Sequence, residues 1–349
     1  MKRAICITTL LVVALAFNVQ SAIASYIFLR DGAGIKRADL DGTGLTTIIA
    51  GGNAPGTAIF GSQYLADIEV DATNQKIYWQ SATGIRSANF DGTGETLLVS
   101  SGTFRNGAGL TLDIPNNRAY WGARSSTTSL VLQTALLDNT GLTTLQTINV
   151  SDGTRDVFDL ELDPTATGTL YFNMGRDGAN DGDWRRSAVA GGSHTKVIDT
   201  PTWGRGGIVV DLDNSRVYGT SGTGGASNMQ RNVLGGSTGT ETTLVSGSSQ
   251  ALMYIDRDGT TMYGTSVSGG VGQVLTYNLL TEPSDFDTGS PLIASTGHNS
   301  IPGIALFIES AAATPEPSTF VLALLGLVSL GLVVRRRRTR VERSLTPES

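Results

Sequence analysis

The sequence predicts an all-β fold, a six-bladed β-propeller with four antiparallel strands per blade. A C-terminal strand completes the first blade; a signal peptide precedes the propeller and a sorting helix follows it. Three observations carry this prediction. Short apolar segments alternate with Gly, Asp and Asn turns, and 44 of the 349 residues are Gly, against a usual ~7%. A phrase repeats fifty positions apart: residues 34–42 read Gly-Ile-Lys-Arg-Ala-Asp-Leu-Asp-Gly, and 84–92 read Gly-Ile-Arg-Ser-Ala-Asn-Phe-Asp-Gly. An apolar residue, Asp, a short turn, an apolar residue and Tyr also recur, ending at Tyr78, Tyr120, Tyr171, Tyr218 and Tyr263. Those tyrosines are 42, 51, 47 and 45 apart, the period of a four-stranded blade.

Residues 1–24 read as a secretory signal: Lys2 and Arg3, an apolar run from Ile5 to Phe17, then Ala22-Ile23-Ala24 as a small-x-small cleavage site. The propeller is expected over 25–310. A typical unit has strands Asp67 to Asp71, Lys76 to Gln80, Ile85 to Phe90 and Glu95 to Val99, here called a to d. The first unit starts in strand b at Tyr26, and its missing strand a is supplied by Gly303 to Glu309. That pairing closes the ring and removes the open sheet edge.

Residues 311–318 form a linker containing Pro315-Glu316-Pro317; 319–334 carry no charge, and 335–349 are a basic tail opening with Arg335-Arg336-Arg337-Arg338. Arginines on one side of a short apolar stretch place that side in the cytoplasm. This three-part tail closely resembles the PEP-CTERM sorting signal of Gram-negative bacteria. The resemblance implies export across the inner membrane, transient membrane insertion, and recognition by an exosortase-type enzyme. It further implies cleavage near Pro-Glu-Pro and delivery to the cell surface or extracellular matrix.

Lys76-Ile77-Tyr78-Trp79 and Ile85 to Gly92 also resemble the YWTD repeat of low-density-lipoprotein-receptor propellers. This supports the fold. The last two YWTD positions are Gln80-Ser81 here, and Gly219 and Gly264 replace the Trp in later units, so receptor-like ligand recognition does not carry over.

Charge and composition exclude several classes. Residues 25–314 hold 17 basic and 28 acidic residues, a net of −11, which suits neither nucleic acid nor an anionic membrane surface. One cysteine, Cys6, rules out a disulfide or zinc scaffold. His194 and His298 lie far apart, and no nucleophile elbow, P-loop or dinucleotide fingerprint is present.

Strand a places apolar pairs between blades: Ile68 and Val70, Leu110 and Leu112, Leu160 and Leu162, Ile208 and Val210, Met253 and Ile255. The Asp that ends each strand a (Asp71, Asp113, Asp163, Asp211, Asp256) is expected to cap the a–b turn. On the axial side, Asp67, Glu69, Asp159 and Glu161 converge on the channel, where hard oxygen ligands suit Ca²⁺. Such a site is similar to the channel metal of six-bladed lactonases, which implies a Ca²⁺-dependent hydrolase as the alternative function. On the d–a loops, Arg105, Arg155, Trp203, Arg205 and Asn299 form a candidate ligand face. Guanidinium forks and an indole suit anionic or sugar groups. The reading favours a surface or matrix propeller acting as a binding or structural module over an enzyme. No cofactor is expected, and extracellular polysaccharide or surface proteins are the candidate partners.

Overall fold

The repeated turns fix where strands start and stop. In the c–d hairpins of the first three blades, an Asp carboxylate oxygen accepts from the backbone N–H and the hydroxyl of the residue two places on. The pairs are Asp41–Thr43 (2.9 and 2.7 Å), Asp91–Thr93 (2.9 and 2.7 Å) and Asp138–Thr140 (2.9 and 2.6 Å). The Gly that follows each Thr sits at φ near +66 to +68°, a conformation open to glycine without a Cβ clash. These hydrogen bonds hold the three exposed carboxyls below their ordinary pKa.

The computed structural model describes residues 25–308, except 32–33, 51–66, 82–83, 101–108, 127, 150–156, 164–167, 175–181, 201–205, 224–225, 237–241, 249–254, 269–270, 281–290 and 298–302. Residues 24–308 form one unit. Blade one contains β1 (Tyr26–Asp31), β2 (Gly34–Asp39) and β3 (Thr46–Ala50). Blade two contains β4 (Ile68–Asp71), β5 (Lys76–Ser81), β6 (Gly84–Asn89) and β7 (Thr96–Ser100). Blade three has β8 (Leu110–Asp113), β9 (Arg118–Ser126), β10 (Ser129–Leu136) and β11 (Thr143–Asn149). Blade four has β12 (Val157–Asp163), β13 (Thr169–Met174), β14 (Gly182–Ala188) and β15 (Thr195–Thr200). Blade five has β16 (Ile208–Asp211), β17 (Arg216–Thr223), β18 (Ala226–Val233) and β19 (Thr242–Ser248), and blade six β20 (Ile255–Asp258), β21 (Thr261–Ser268) and β22 (Val271–Asn278).

The last strand, β23 (Gly303–Phe307), pairs with β1 and completes blade one in the order β23-β1-β2-β3. The predicted ring closure is therefore present. Blade six has three strands among the described residues. A bridge between Val274 and Ile293 and a bond from Thr296 N–H to the Gly272 carbonyl stand where its fourth would lie.

Packing follows the strand alternation. Among the described residues, six apolar clusters lie between consecutive blades, and each takes the inward residues of one strand a and the b-strand aromatic of the preceding blade. Tyr78 thus packs with Leu110 and Trp121 of blade three, Tyr120 with Leu160 and Phe172 of blade four, and Tyr218 with Ile255 of blade six. In blade one Phe28 takes the tyrosine position and packs on Ile68 and Trp79. This explains the repeating Tyr: one large ring per blade fills the wedge to its neighbour. At the rim, Gly92 has φ +84°, and a Cβ there would lie 2.0 Å from the Ile48 carbonyl oxygen of blade one. The second Gly of the repeated phrase marks a close approach between blades.

Candidate functional site

Register alone determines which side chains reach the axis. In strand a, residues alternate between the blade interface and the axial channel. The b-strand tyrosine marks the axial position: Glu69 pairs with Tyr78, Thr111 with Tyr120, Glu161 with Tyr171, Val209 with Tyr218, Asp256 with Tyr263, and Ala305 with Phe28. Acids therefore occupy blades two, four and six, and small or neutral residues occupy three, five and one. Two residues earlier, blades two and four carry Asp67 and Asp159. Together five carboxylates line a cavity of about 180 Å³, whose remaining wall includes Ile304, Ala305 and Leu306 of the closing strand.

Asp256 corrects the sequence reading. It was expected to cap the a–b turn of blade six, but its pairing with Tyr263 puts it on the axis. The turn position belongs to Asp258, which pairs with Thr261 across a two-residue hairpin at Gly259 (φ +52°). The loop residues are Gly259 and Thr260, and a Gly opening a two-residue loop is a hairpin signal that the Asp-to-Tyr spacing concealed. The second apolar interface position is then Arg257, not an aliphatic residue; its guanidinium lies 3.0 Å from Asp211 of blade five. Ile255 does join the blade five–six cluster, and Met253 lies outside the described residues.

The turn role holds elsewhere. Asp71, Asp113 and Asp211 each accept from the backbone N–H and the side-chain amide of the Asn three residues on: Asn74 at 3.0 and 2.7 Å, Asn116 at 3.3 and 2.8 Å, Asn214 at 3.1 and 2.9 Å. Asp163 is buried, and the turn that follows it, 164–167, is outside the described residues.

The axial aspartates have a second structural use. Asp67 accepts from its neighbour Ile68 N–H (2.9 Å) and from Leu110 N–H of blade three (3.1 Å). Asp159 accepts from Leu160 N–H (2.9 Å) and from Ile208 N–H of blade five (2.6 Å). Asp256 accepts from Arg257 N–H (2.6 Å) and from Leu306 N–H of the closing strand (2.7 Å). Three carboxylates thus staple blade two to three, four to five, and six to one. Close approach is allowed in between by Gly109, where a Cβ would lie 2.2 Å from the Asp159 carbonyl carbon.

Electrostatics at the axis are unfavourable to full ionisation. Burial first, then the Asp159 and Glu69 charges, pushes Asp67 well above the usual carboxylate range, and Asp67 and Asp159 share a hydrogen bond that needs a proton between them. Burial raises Asp159 to about 6, against the pull of that bond and of its two N–H donors. Asp256 is raised to about 6 by burial, opposed by the N–H groups of Arg257 and Leu306. Glu69 and Glu161 rise well above the ordinary value, through burial and then the neighbouring carboxylates.

Of the predicted metal ligands, the fold brings Asp67, Glu69, Asp159 and Glu161 to one cavity. Among the described residues, no group of three or more His, Cys, Asp or Glu side chains is placed to hold a metal ion. The candidate ligand residues Arg105, Arg155, Trp203, Arg205 and Asn299 lie outside the described residues, as do Pro315, Glu316, Pro317, Arg335, Arg336, Arg337 and Arg338. The predicted sorting helix, 319–334, also lies outside them; no helix among the described residues is long and apolar enough to cross a membrane.

Comparison with known proteins identifies the tail and the fold. Residues 313–338 match the PEP-CTERM protein-sorting motif. No curated protein matches the sequence. Among solved structures, a chain of a nidogen/laminin complex is similar at 14% identity and a TM-score of 0.60, over 81% of this chain and 98% of that one. TolB from Acinetobacter baumannii is similar at 12% identity and 0.52, over 76% and 62%. A TolB-like protein from Agrobacterium tumefaciens gives 9% and 0.51, over 82% and 99%. At these identities the likeness is one of fold. The chain is an all-β six-bladed propeller that carries a PEP-CTERM sorting motif.

Proposed function

We propose that this chain is exported, cut near Pro315-Glu316-Pro317 by an exosortase-type enzyme, and displayed at the cell surface or in the extracellular matrix as a binding or structural module. The observation that carries the reading is the sorting motif itself, which starts at residue 313, six residues after the ring-closing strand ends at Phe307. Cleavage near Pro-Glu-Pro would leave every strand of the propeller in the released product. Extracellular polysaccharide is the partner class proposed.

The alternative, a Ca²⁺-dependent lactonase-type hydrolase, rests on the axial carboxylates. Ca²⁺ takes about six to eight oxygen ligands. Two of the four predicted ligands, Asp67 and Asp159, already accept two backbone N–H groups each. Glu69 and Glu161 are then the predicted ligands with no backbone bond to keep, and this is the weaker of the two readings.

Fractionation tests the proposal. Replacing Pro315, Glu316 and Pro317 by Ala in an exosortase-containing host is expected to move the bulk of the protein from the released and matrix fractions to the inner membrane. The wild type is expected to co-sediment with isolated exopolysaccharide. Unchanged release of the variant would overturn the sorting, and a wild type that ignores the polysaccharide would overturn that partner.

A further inference from the structure

Blades two and four place an arginine at the same point of strand c and answer it differently. Arg86 pairs in register with Trp79 and Leu97, and Arg185 with Phe172 and Lys196. Nine residues on from each arginine, where the c–d turn meets strand d, blade two has Glu95 and blade four has His194. The Glu95 carboxylate accepts from Arg86 Nη1 at 2.9 Å. In blade four, Arg185 Nη1 meets His194 Nε2 instead. A guanidinium only donates, so Nε2 is the acceptor and the ring proton sits on Nδ1. Nδ1 lies 2.7 Å from the side-chain amide of Gln146 in blade three, whose Oε1 is otherwise buried without a partner. With the amide turned to present Oε1, Nδ1–H donates to it and both groups are satisfied.

These contacts lie in the outer part of the seam between blades three and four. Leu132 and Phe172 are buried in that seam, and their register partners Gln146 and Arg185, then Lys196, continue outward on the same faces. Phe172 and His194 meet edge-on at 6.3 Å. Arg185, His194 and Lys196 are half-buried, with exposed Ser193 and Thr195 beside them. Blade three turns Leu132, Thr134 and Gln146 this way, none of which titrates, and brings Arg118, which donates to Thr134 Oγ1 at 3.1 Å. On blade four, Asp183 and Asp199 are register partners further toward the b–c end, and Arg186 shares the opposite face with Tyr171.

We propose that this seam binds the carboxylate of a uronic-acid residue in an anionic polysaccharide, with His194 protonated in the bound state. The inference rests on the proposed polysaccharide partner and adds its chemical class and its site. The ligand carboxylate takes the part that Glu95 plays in blade two. The Arg185 fork and the imidazolium Nε2–H donate to its oxygens, and Lys196 supplies a further positive charge. Without the anion, imidazolium and guanidinium repel at contact distance and the ring stays neutral; with it, protonation and binding support each other. Binding therefore takes up a proton, and affinity rises as pH falls through the usual imidazole range near ~6.5. A domain of net −11 otherwise repels a polyanion, so docking one requires a local cationic seam.

Calorimetric titration of the full-length chain in detergent with oligoglucuronate, at about pH 5.5 and about pH 8, tests this, with a neutral oligoglucan of equal length as control. The expected result is oligoglucuronate binding about tenfold tighter at the lower pH and no binding of the oligoglucan. His194→Gln keeps a neutral acceptor for Arg185 and should abolish the pH dependence, which separates the imidazole from the domain's general gain of negative charge. His194→Glu installs the Arg86–Glu95 type of pair; it should melt as the wild type does and lose about tenfold or more in affinity at the lower pH. Should that variant fail to fold, Lys196→Gln is expected to bind severalfold more weakly. Equal affinity at both pH values, equal binding of the oligoglucan, or a folded His194→Glu or Lys196→Gln chain that binds as the wild type does overturns the site. A wild type that co-sediments with exopolysaccharide yet ignores oligoglucuronate overturns this inference alone. One that binds oligoglucuronate but not the exopolysaccharide supports the seam and overturns the partner proposed above.

Discussion

A chain truncated after residue 302 will lose its cooperative unfolding transition, whereas one ending at residue 314 will melt as the full propeller does. The difference is β23. Without it β1 has no inner partner, and five register pairs disappear. Buried Ile304 and Phe307 are lost, each side chain worth roughly 1.5–3 kcal/mol of burial. Phe307 also packs edge-to-face on Phe90 of blade two at 4.8 Å, and Leu306 N–H is what Asp256 uses to tie blade six to blade one. Together these losses reach about 5 kcal/mol, comparable with the whole stability of many domains. Circular dichroism melting of the two truncations reads the result directly; equal melting would mean that the closing strand does not hold the ring.

The axial carboxylates set the second large effect, and its sign is opposite to ordinary acid denaturation. Asp159 and Asp256 sit at about 6 in the folded chain, above their unfolded value of ~3.9. A group raised on folding binds more protons in the native state, so its contribution is intact below the unfolded value and is lost as pH climbs through the folded one. Stability should fall as pH rises from ~4 through 6, by on the order of a few kcal/mol for these two groups. Asp67, Glu69 and Glu161 shift in the same direction and extend the loss toward higher pH. The exposed turn aspartates Asp41, Asp91 and Asp138 are shifted down; what they contribute is lost on acidification below ~4. Melting temperature should therefore peak near pH 4, between the two losses, and decline steadily toward pH 8. Glu69→Gln with Glu161→Gln removes two axial charges without breaking any of the three staples, and should raise the melting temperature at pH 8 and flatten the profile. A profile that climbs toward pH 8 would contradict the arrangement of charge described here.

Much of this architecture could be read from the chain because each blade repeats its own punctuation. Tyr78, Tyr120, Tyr171, Tyr218 and Tyr263 recur because each fills a wedge between blades, and Asp-Gly-Thr-Gly at 41–44 and 91–94 recurs because each forms the same hairpin. Even the atypical first blade was legible, since Phe307 occupies the slot opposite Tyr26 that Asp71 occupies opposite Lys76. Reading failed at blade six, where a shorter hairpin moved Asp256 from the turn to the axis. The better anchor was the tyrosine, which the packing fixes, and not the aspartate, which can slide with turn length. Four of the five axial acids were identifiable by alternation within a strand. Their inter-blade bonds were not, because Asp67 reaches Leu110, and Asp159 reaches Ile208, across 43 and 49 residues of chain. No local pattern encodes a contact between separate blades.

The most direct test of an exported, tail-processed propeller is the intact mass of the protein released by a host that contains the sorting enzyme. The mass expected is that of a chain beginning at Ser25 and ending between residues 309 and 318, with all strands through Phe307 retained. A released mass that still includes residues 319–349, or one that ends before Phe307, would contradict it.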